Sequence, residues 1–209
     1  MRVLLIPPTY RYTTQYPSFL APSDFSCGFA YIAAALKAAG HQVFGCNPNN
    51  APGYDSAFDM VHDKIARAIA ETKPDLIGVG GICTDYPFLQ AAVSIIRHYA
   101  PTVPVLMGGS IITYDQEFIH SALKPEYSLA GEAEETVIML LNALEGRGDL
   151  NAIPNLCYRQ NGRLVFTEKN LKFGGDLNEQ PFPDYSIFEI DKMLDASWAA
   201  RPLYRYSRN

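Results

Sequence analysis

The chain has 209 residues and a formal net charge of −5; 48% of its residues are hydrophobic and 19% charged. That is apolar mass enough for a real core in one α/β domain plus a tail, and the acidic balance argues against a nucleic-acid binder, which usually carries a basic face. No apolar run approaches the ~18 residues that span a bilayer, and the apolar stretch of the opening MRVLLIPPTY is too short for a signal peptide, so a cytoplasmic location is expected.

In chain order, RVLLI (2–6) is a short apolar strand stopped by Pro7-Pro8, which cannot donate to a ladder. GFAYIAAALKAAG (28–40) reads as a helix with Phe29, Ile32, Ala33 and Leu36 on one face and Gly40 closing its end. HQVFGC (41–46) is a second strand, and 59–72 a helix with Val61, Ile65, Ala68 and Ile69 in one stripe. PDLIGVGG (74–81) is a third strand ending in glycines, followed by a helix over 86–99. VPVLMGG (103–109) is the fourth strand, with a short helix over 115–123; EYSLAGE (126–132) is the fifth, with a helix over 133–146 stopped by Gly146.

Five β-then-α units with continuous apolar strands predict a Rossmann-like α/β fold: a five-stranded parallel sheet in the flavodoxin-like order 2-1-3-4-5, with helices on both faces. A ligand site is then expected beyond the carboxyl ends of the strands. This α/β domain is assigned to residues 1–148. Residues 149–209 are read as a β-hairpin around Asn161-Gly162 and an irregular strap or linker rich in Pro, Asp and Gly.

The four cysteines, Cys27, Cys46, Cys83 and Cys157, form no CxxC pair, so no zinc or iron–sulfur site is encoded locally. They are expected to be reduced and mostly buried. His41, His62, His98 and His120 show no metal-ligand spacing and are expected to be structural or exposed.

Small residues recur at adjacent strand ends: Gly80-Gly81, Gly108-Gly109 and Gly131, beside Pro7-Pro8-Thr9. Glycine there lets a ligand touch main chain, and the spread over several strands implies a broad or long ligand. GxGxxG is absent after strand one, as are a P-loop, a phospho-acceptor aspartate pair and a flavodoxin-type phosphate loop. Turn chemistry alone could also explain each glycine.

The stretches RVLLIPP, GFAYIAAALKAAGHQV, PDLIGVGGICT, VPVLMGGS, AGEAEETVIMLL, IPNLCYRQNGRLV and LNEQPFPDY, taken in order, resemble the cobalamin-binding domain at the N-terminus of cobalamin-dependent radical-SAM enzymes. The resemblance covers nearly the whole chain. It implies that the nucleotide tail of cobalamin enters the sheet edge while the corrin ring lies across the strand ends. Gly108 and Gly109 would line the tail channel, with Ser110 and Thr113 in the loop that follows. Gly80, Gly81 and Thr84 would pack against the dimethylbenzimidazole from the strand-three loop, Gly131 and Glu132 would close the channel, and Pro7, Pro8 and Thr9 would wall the corrin. Glu132 equally fits the first turn of a helix, where a carboxylate complements the positive end, and Thr84 equally fits an N-cap.

The loop after strand one lacks the DxHxxG of methionine-synthase-type domains. The resemblance therefore implies cobalamin bound base-off with no protein histidine beneath cobalt. Tyr10, Tyr12, Tyr16 and Phe19, in the long loop over 9–27, could cover a macrocycle or simply cap the sheet. CxxxCxxC, which holds the 4Fe–4S cluster of radical-SAM enzymes, is absent, yet the chain closes on LYRYSRN. The resemblance implies that a radical-SAM domain of the same polypeptide follows, holding the cluster and S-adenosylmethionine. The domain itself would be non-catalytic, serving a methyltransferase or cyclase, with neither nucleic acid nor membrane as partner. A nucleotide- or nucleotide-sugar-binding enzyme domain and a ligand-free interaction module are the alternatives.

Overall fold

Short strands that are apolar on both faces can be covered only between two helical layers, and the chain folds that way. The computed structural model describes residues 1–9, 25–50, 54, 56–171 and 178–191. The aromatic loop residues Tyr10, Tyr12, Tyr16 and Phe19 and the closing LYRYSRN lie outside them. Strands β1 (Arg2–Ile6), β2 (Gln42–Gly45), β3 (Leu76–Gly80), β4 (Val105–Gly108), β5 (Tyr127–Leu129), β6 (Leu156–Gln160) and β7 (Arg163–Phe166) form one sheet in the order β2-β1-β3-β4-β5-β6-β7. The first five are parallel, in the order the sequence predicts.

The hairpin does not stand apart. β6 pairs antiparallel with β5 and β7 with β6, so the sheet runs on to seven strands. Its turn residues Asn161 (φ 51°) and Gly162 (φ 78°) are both left-handed, as a two-residue turn matching strand twist requires.

The helices are α1 (Cys27–Ala38), α2 (Ala57–Thr72), α3 (Tyr86–Tyr99), α4 (Ser110–Tyr114), α5 (Gln116–Ala122) and α6 (Glu134–Leu144). Alternate residues of β1 divide the core. Val3 and Leu5 pack with Leu36 of α1 and with Leu140 and Leu141 of α6. Leu4 and Ile6 pack on the other face with Ile65 of α2 and with Leu89 and Ile96 of α3. Ser56 starts α2, its Oγ accepting the Phe58 and Asp59 amide hydrogens at 3.1 and 3.4 Å. The sequence reads 110–114 as loop; it is the short helix α4, separated from α5 by Asp115, whose Oδ1 accepts the Phe118 amide at 3.0 Å. Among the described residues no helix is long and apolar enough to cross a membrane.

The strap returns over α1. Asp184 pairs with Lys37 at 2.5 Å, and its amide donates to the Ala30 carbonyl at 2.9 Å. Phe188 is fully buried, with its ring centroid 4.9 Å from that of Phe25 and 6.5 Å from that of Phe29. The Asn47 amide donates to the Phe188 carbonyl at 3.0 Å. At the outer edge of the parallel region, buried His120 of α5 shares a hydrogen bond with Ser128 Oγ of β5 at 2.8 Å. Gln116 Nε2 donates to Ser128 Oγ at 3.1 Å and to the Asn155 carbonyl at 3.1 Å.

Phe188→Ala should lower unfolding free energy by about 3–5 kcal/mol, as a phenylalanine-sized core cavity does; a urea midpoint unchanged from wild type would show that the strap carries no stability. Burial holds the His120 imidazole down from 6.5 to about 4. The unfolded chain therefore binds its proton first as pH falls, and the stability His120 contributes, full above 6.5, is lost between 6.5 and about 4. Between pH 7 and 4.5 the wild type should lose on the order of 2 kcal/mol more than His120→Gln in urea unfolding; equal losses would place the acid sensitivity elsewhere.

Candidate functional site

The carboxyl ends of β1, β3, β4 and β5 open into a cavity of about 510 Å³ that continues down between α1 and α6. Strand alternation explains the space. On β3, Ile77 and Val79 face the α2/α3 layer, which sends Gly78 and Gly80 to the opposite face. On β4, Met107 faces α2/α3, and Leu106 and Gly108 the other side. Three glycines on two neighbouring strands thus put no side chain of their own on one patch of this face, although Leu5 Cδ2 packs where a Gly78 Cβ would be, at 2.8 Å. Leu5, Leu106 and Leu129 floor the remainder, and Phe29, Ile32 and Val137 wall it from the helices.

The glycines are not equivalent. A Cβ on Gly109 (φ 88°) would lie 2.5 Å from the Gly81 carbonyl oxygen, and one on Gly80 2.7 Å from the Gly108 oxygen. These two exist because main chain meets main chain. The Gly81 amide donates to the Gly108 carbonyl at 3.4 Å, and the Ile111 amide to the Gly81 carbonyl at 3.3 Å. A Cβ on Gly108 meets nothing nearer than the Leu129 oxygen at 3.9 Å, so its missing side chain is cavity space.

Of the twelve residues singled out in the sequence, Pro8, Gly80, Gly81, Gly108, Gly109, Ser110, Gly131 and Glu132 line this cavity. Pro7 and Thr9 are buried beside it without lining it. Thr84 is exposed in the turn Cys83–Asp85, and makes neither a cavity wall nor the side-chain cap that α3 lacks. Thr113 sits on α4 behind the rim, where its Oγ1 accepts the Gly131 amide at 2.9 Å and donates to the Gly109 carbonyl at 3.3 Å. Glu132 precedes α6 rather than opening it; the first-turn carboxylates are Glu134 and Glu135.

Sequence reading missed Gly78, although its alternation with Gly80 in LIGVG would have revealed it. It also missed Ile82, exposed at the rim, and Asp85, whose side chain turns inward beneath the rim. Asp85 is 2% exposed; its Oδ2 accepts the Ile82 amide hydrogen at 2.9 Å, and burial pushes its carboxyl above the usual range. Glu134 is likewise pushed up by burial. Phe29 and Ile32, read as core, are half-buried cavity wall.

All four histidines lie away from the cavity: His41 and His120 buried, His62 half-buried, His98 exposed. The thiols divide evenly rather than being mostly buried. Cys46 and Cys157 are buried and pushed up to about 12 and about 11, while Cys27 and Cys83 are exposed.

Residues 25–141, more than half of the chain and all but a few of the cavity residues, match the B12 binding domain family. The chain belongs to that family. The B12-binding domain is 26% identical over 194 residues to the uncharacterized methyltransferase PH0819 of Pyrococcus horikoshii, covering 92% of this chain and 40% of that protein. It is 25% identical over 171 residues to the anaerobic magnesium-protoporphyrin IX monomethyl ester cyclase of a Synechocystis strain, covering 80% of this chain and 32% of that one. Its fold is shared with two solved enzymes. One is the radical S-adenosylmethionine methyltransferase TsrM of Kitasatospora setae, determined with cobalamin and a [4Fe-4S] cluster (TM-score 0.59, 22% identity, 80% of this chain and 30% of that). The other is the cobalamin-dependent S-adenosylmethionine radical enzyme OxsB, determined with aqua-cobalamin and S-adenosylmethionine (TM-score 0.69, 13% identity, 93% and 25%). The B12-binding domain therefore spans 25–40% of the length of these proteins.

The two neighbouring glycines should separate stability from volume. Gly109→Ala should cost about 1–3 kcal/mol of stability through its left-handed φ and the Gly81 clash, whereas Gly108→Leu should stay within about 1 kcal/mol of wild type. Thermal melts check this, and equal losses at both sites would remove the distinction.

Proposed function

We propose that this domain holds cobalamin base-off, its nucleotide tail threaded between α1 and α6 and its corrin resting on the strand-end loops, with no protein histidine beneath cobalt. The cavity carries the reading: about 510 Å³, within the roughly 300–1,000 Å³ of small-molecule sites, and cleared where Gly108 faces it. The residues fit such a ligand. The wall is mostly apolar, as a flat aromatic base needs, and the polar groups are few: Ser26, Ser110, Asp85 and the carboxylates of Glu132 and Glu134. The position of all four histidines outside the cavity supports the absence of an imidazole ligand.

When bound, the corrinoid supplies a cobalt centre able to carry a methyl group or take part in radical chemistry. The chain's own share is binding and placement. Leu5, Leu106 and Leu129 keep water from the deep end of the slot. The Gly81 and Gly109 main chain gives a rim with no side chain of its own at these two positions. Pro8 and Ile82 border the mouth. We infer further that the domain serves as the corrinoid carrier of a longer radical-SAM protein, in methyl transfer or related chemistry. The coverage of its relatives supports this, and the 4Fe–4S cluster and S-adenosylmethionine would belong to the part beyond these 209 residues.

Purified protein mixed with hydroxocobalamin and desalted should keep the corrinoid, with the absorption pattern of a base-displaced form. Gly108→Leu, which fills the slot, should weaken retention at least ~10-fold, the equivalent of about 1.4 kcal/mol. Colourless wild-type protein, or full retention by Gly108→Leu, would overturn the assignment of the slot.

A further inference from the structure

Asp85 poses a problem that the fold alone does not solve. It is 2% exposed. Its Oδ2 accepts the Ile82 amide hydrogen at 2.9 Å, but among the described residues its Oδ1 has no hydrogen-bond partner. A buried carboxyl oxygen without a partner is costly, and an ordinary surface aspartate in this turn would avoid the cost. The chain instead makes room for it. A Cβ on Gly81 would lie 2.5 Å from Asp85 Oδ2 and 2.9 Å from its Cβ, so a glycine at 81 is what admits the carboxyl beneath the rim. Asp85 also lines the cavity, on the β3–α3 side, whereas the other lining carboxylates, Glu132 and Glu134, come from the β5–α6 side.

We propose that Asp85 is the specificity contact inside the slot, its Oδ1 hydrogen-bonding the ring nitrogen that a displaced benzimidazole base no longer gives to cobalt. This rests on the reading of the cavity as a cobalamin slot and adds a residue that reads the chemistry of the tail. The freed ring nitrogen has a lone pair and no hydrogen. A carboxylic acid can donate to it through Oδ1 while Oδ2 keeps the Ile82 amide, which leaves neither group unpaired. Burial favours the protonated acid needed for that bond. A lower base that lacks such a nitrogen would leave Oδ1 unsatisfied and bind more weakly, the way polar sites reject analogues that cannot complete a hydrogen bond.

The test uses the 209-residue chain and three corrinoids in equilibrium dialysis: hydroxocobalamin, a cobamide with a phenolic lower base, and cobinamide, which has no nucleotide tail. Free cobalamin must break its Co–N bond to bind base-off and the phenolic cobamide has none to break, so the readout is the change in their affinity ratio, about tenfold between wild type and Asp85→Ala for one buried hydrogen bond. Asp85→Ala should lower the cobalamin-to-phenolic-cobamide ratio by that factor while leaving cobinamide affinity unchanged. Asp85→Asn, whose amide can still accept from Ile82 and donate to the ring nitrogen, should keep cobalamin affinity within about threefold. If Asp85→Ala weakens cobinamide and cobalamin equally, Asp85 is only a turn residue and the inference fails. If Asp85→Ala leaves the cobalamin-to-phenolic-cobamide affinity ratio at its wild-type value, the inference fails, and retained cobinamide binding shows that the variant is folded. If wild type binds none of the three, the cobalamin reading itself is overturned and this contact with it.

Discussion

The loops leaving β3 and β4 touch through their main chains, and the rest of the site is a consequence. The Gly81 amide reaches the Gly108 carbonyl and the Ile111 amide reaches the Gly81 carbonyl, so the two loops are knit by backbone hydrogen bonds rather than held apart by side chains. Such an approach needs bare Cα atoms at Gly80 and Gly109. Once the loops are secured to each other, they need no large residue as a plug. The space that a plug would have occupied is the mouth of the cavity. Thr113 extends the same stitching to the third loop by bonding both Gly109 and Gly131, so hydrogen bonds link the rim over three strand ends.

Below the rim, the depth of the slot depends on helix spacing. α1 presents the small buried residues Ala30, Ala33 and Ala34 along its length, which lets it lie close to the sheet near Leu36, where Leu140 and Leu141 of α6 close the layer. Nearer the strand ends, no side chain rises from Gly78 or Gly108 to meet the helices, and Phe29, Ile32 and Val137 line open space. The same layer is thus sealed at one end and open at the other, without any element bending out of register.

Much of this was legible in the sequence. Five alternating β and α segments, each with its own hydrophobic period, pointed to the order of the parallel sheet, and the glycines at the strand ends lie at the edge where the cavity opens. Less was legible where contact rather than pattern decides. Strand alternation places Gly108 on the cavity face, but that Gly109 serves a neighbouring loop depends on the close approach of the Gly81 main chain, a contact between loops that no local pattern encodes. Thr84 and Asp85 are adjacent and both polar, yet the tight turn at 83–85 sends one to solvent and the other inward. The hairpin was recognisable from Asn161-Gly162, but its fusion to β5 rests on an open strand edge that sequence periodicity does not reveal. The division of the cysteines followed the same rule: Cys46 and Cys157 lie on or beside strands, Cys27 and Cys83 at helix and turn entrances.

The strap gives one wall of the slot a remote tether. Lys37 and Phe29 belong to α1, but the groups that hold them, Asp184 and Phe188, come from the far end of the described chain. A helix gripped on one side by that segment and bordering the ligand space on the other is a shared element of two equilibria, and such sharing is reciprocal. Whatever free energy a bound molecule spends or gains by shifting α1 is felt equally in how firmly residues 184–188 stay seated. The seating of residues 184–188 and the width of the cavity beside α1 are therefore linked.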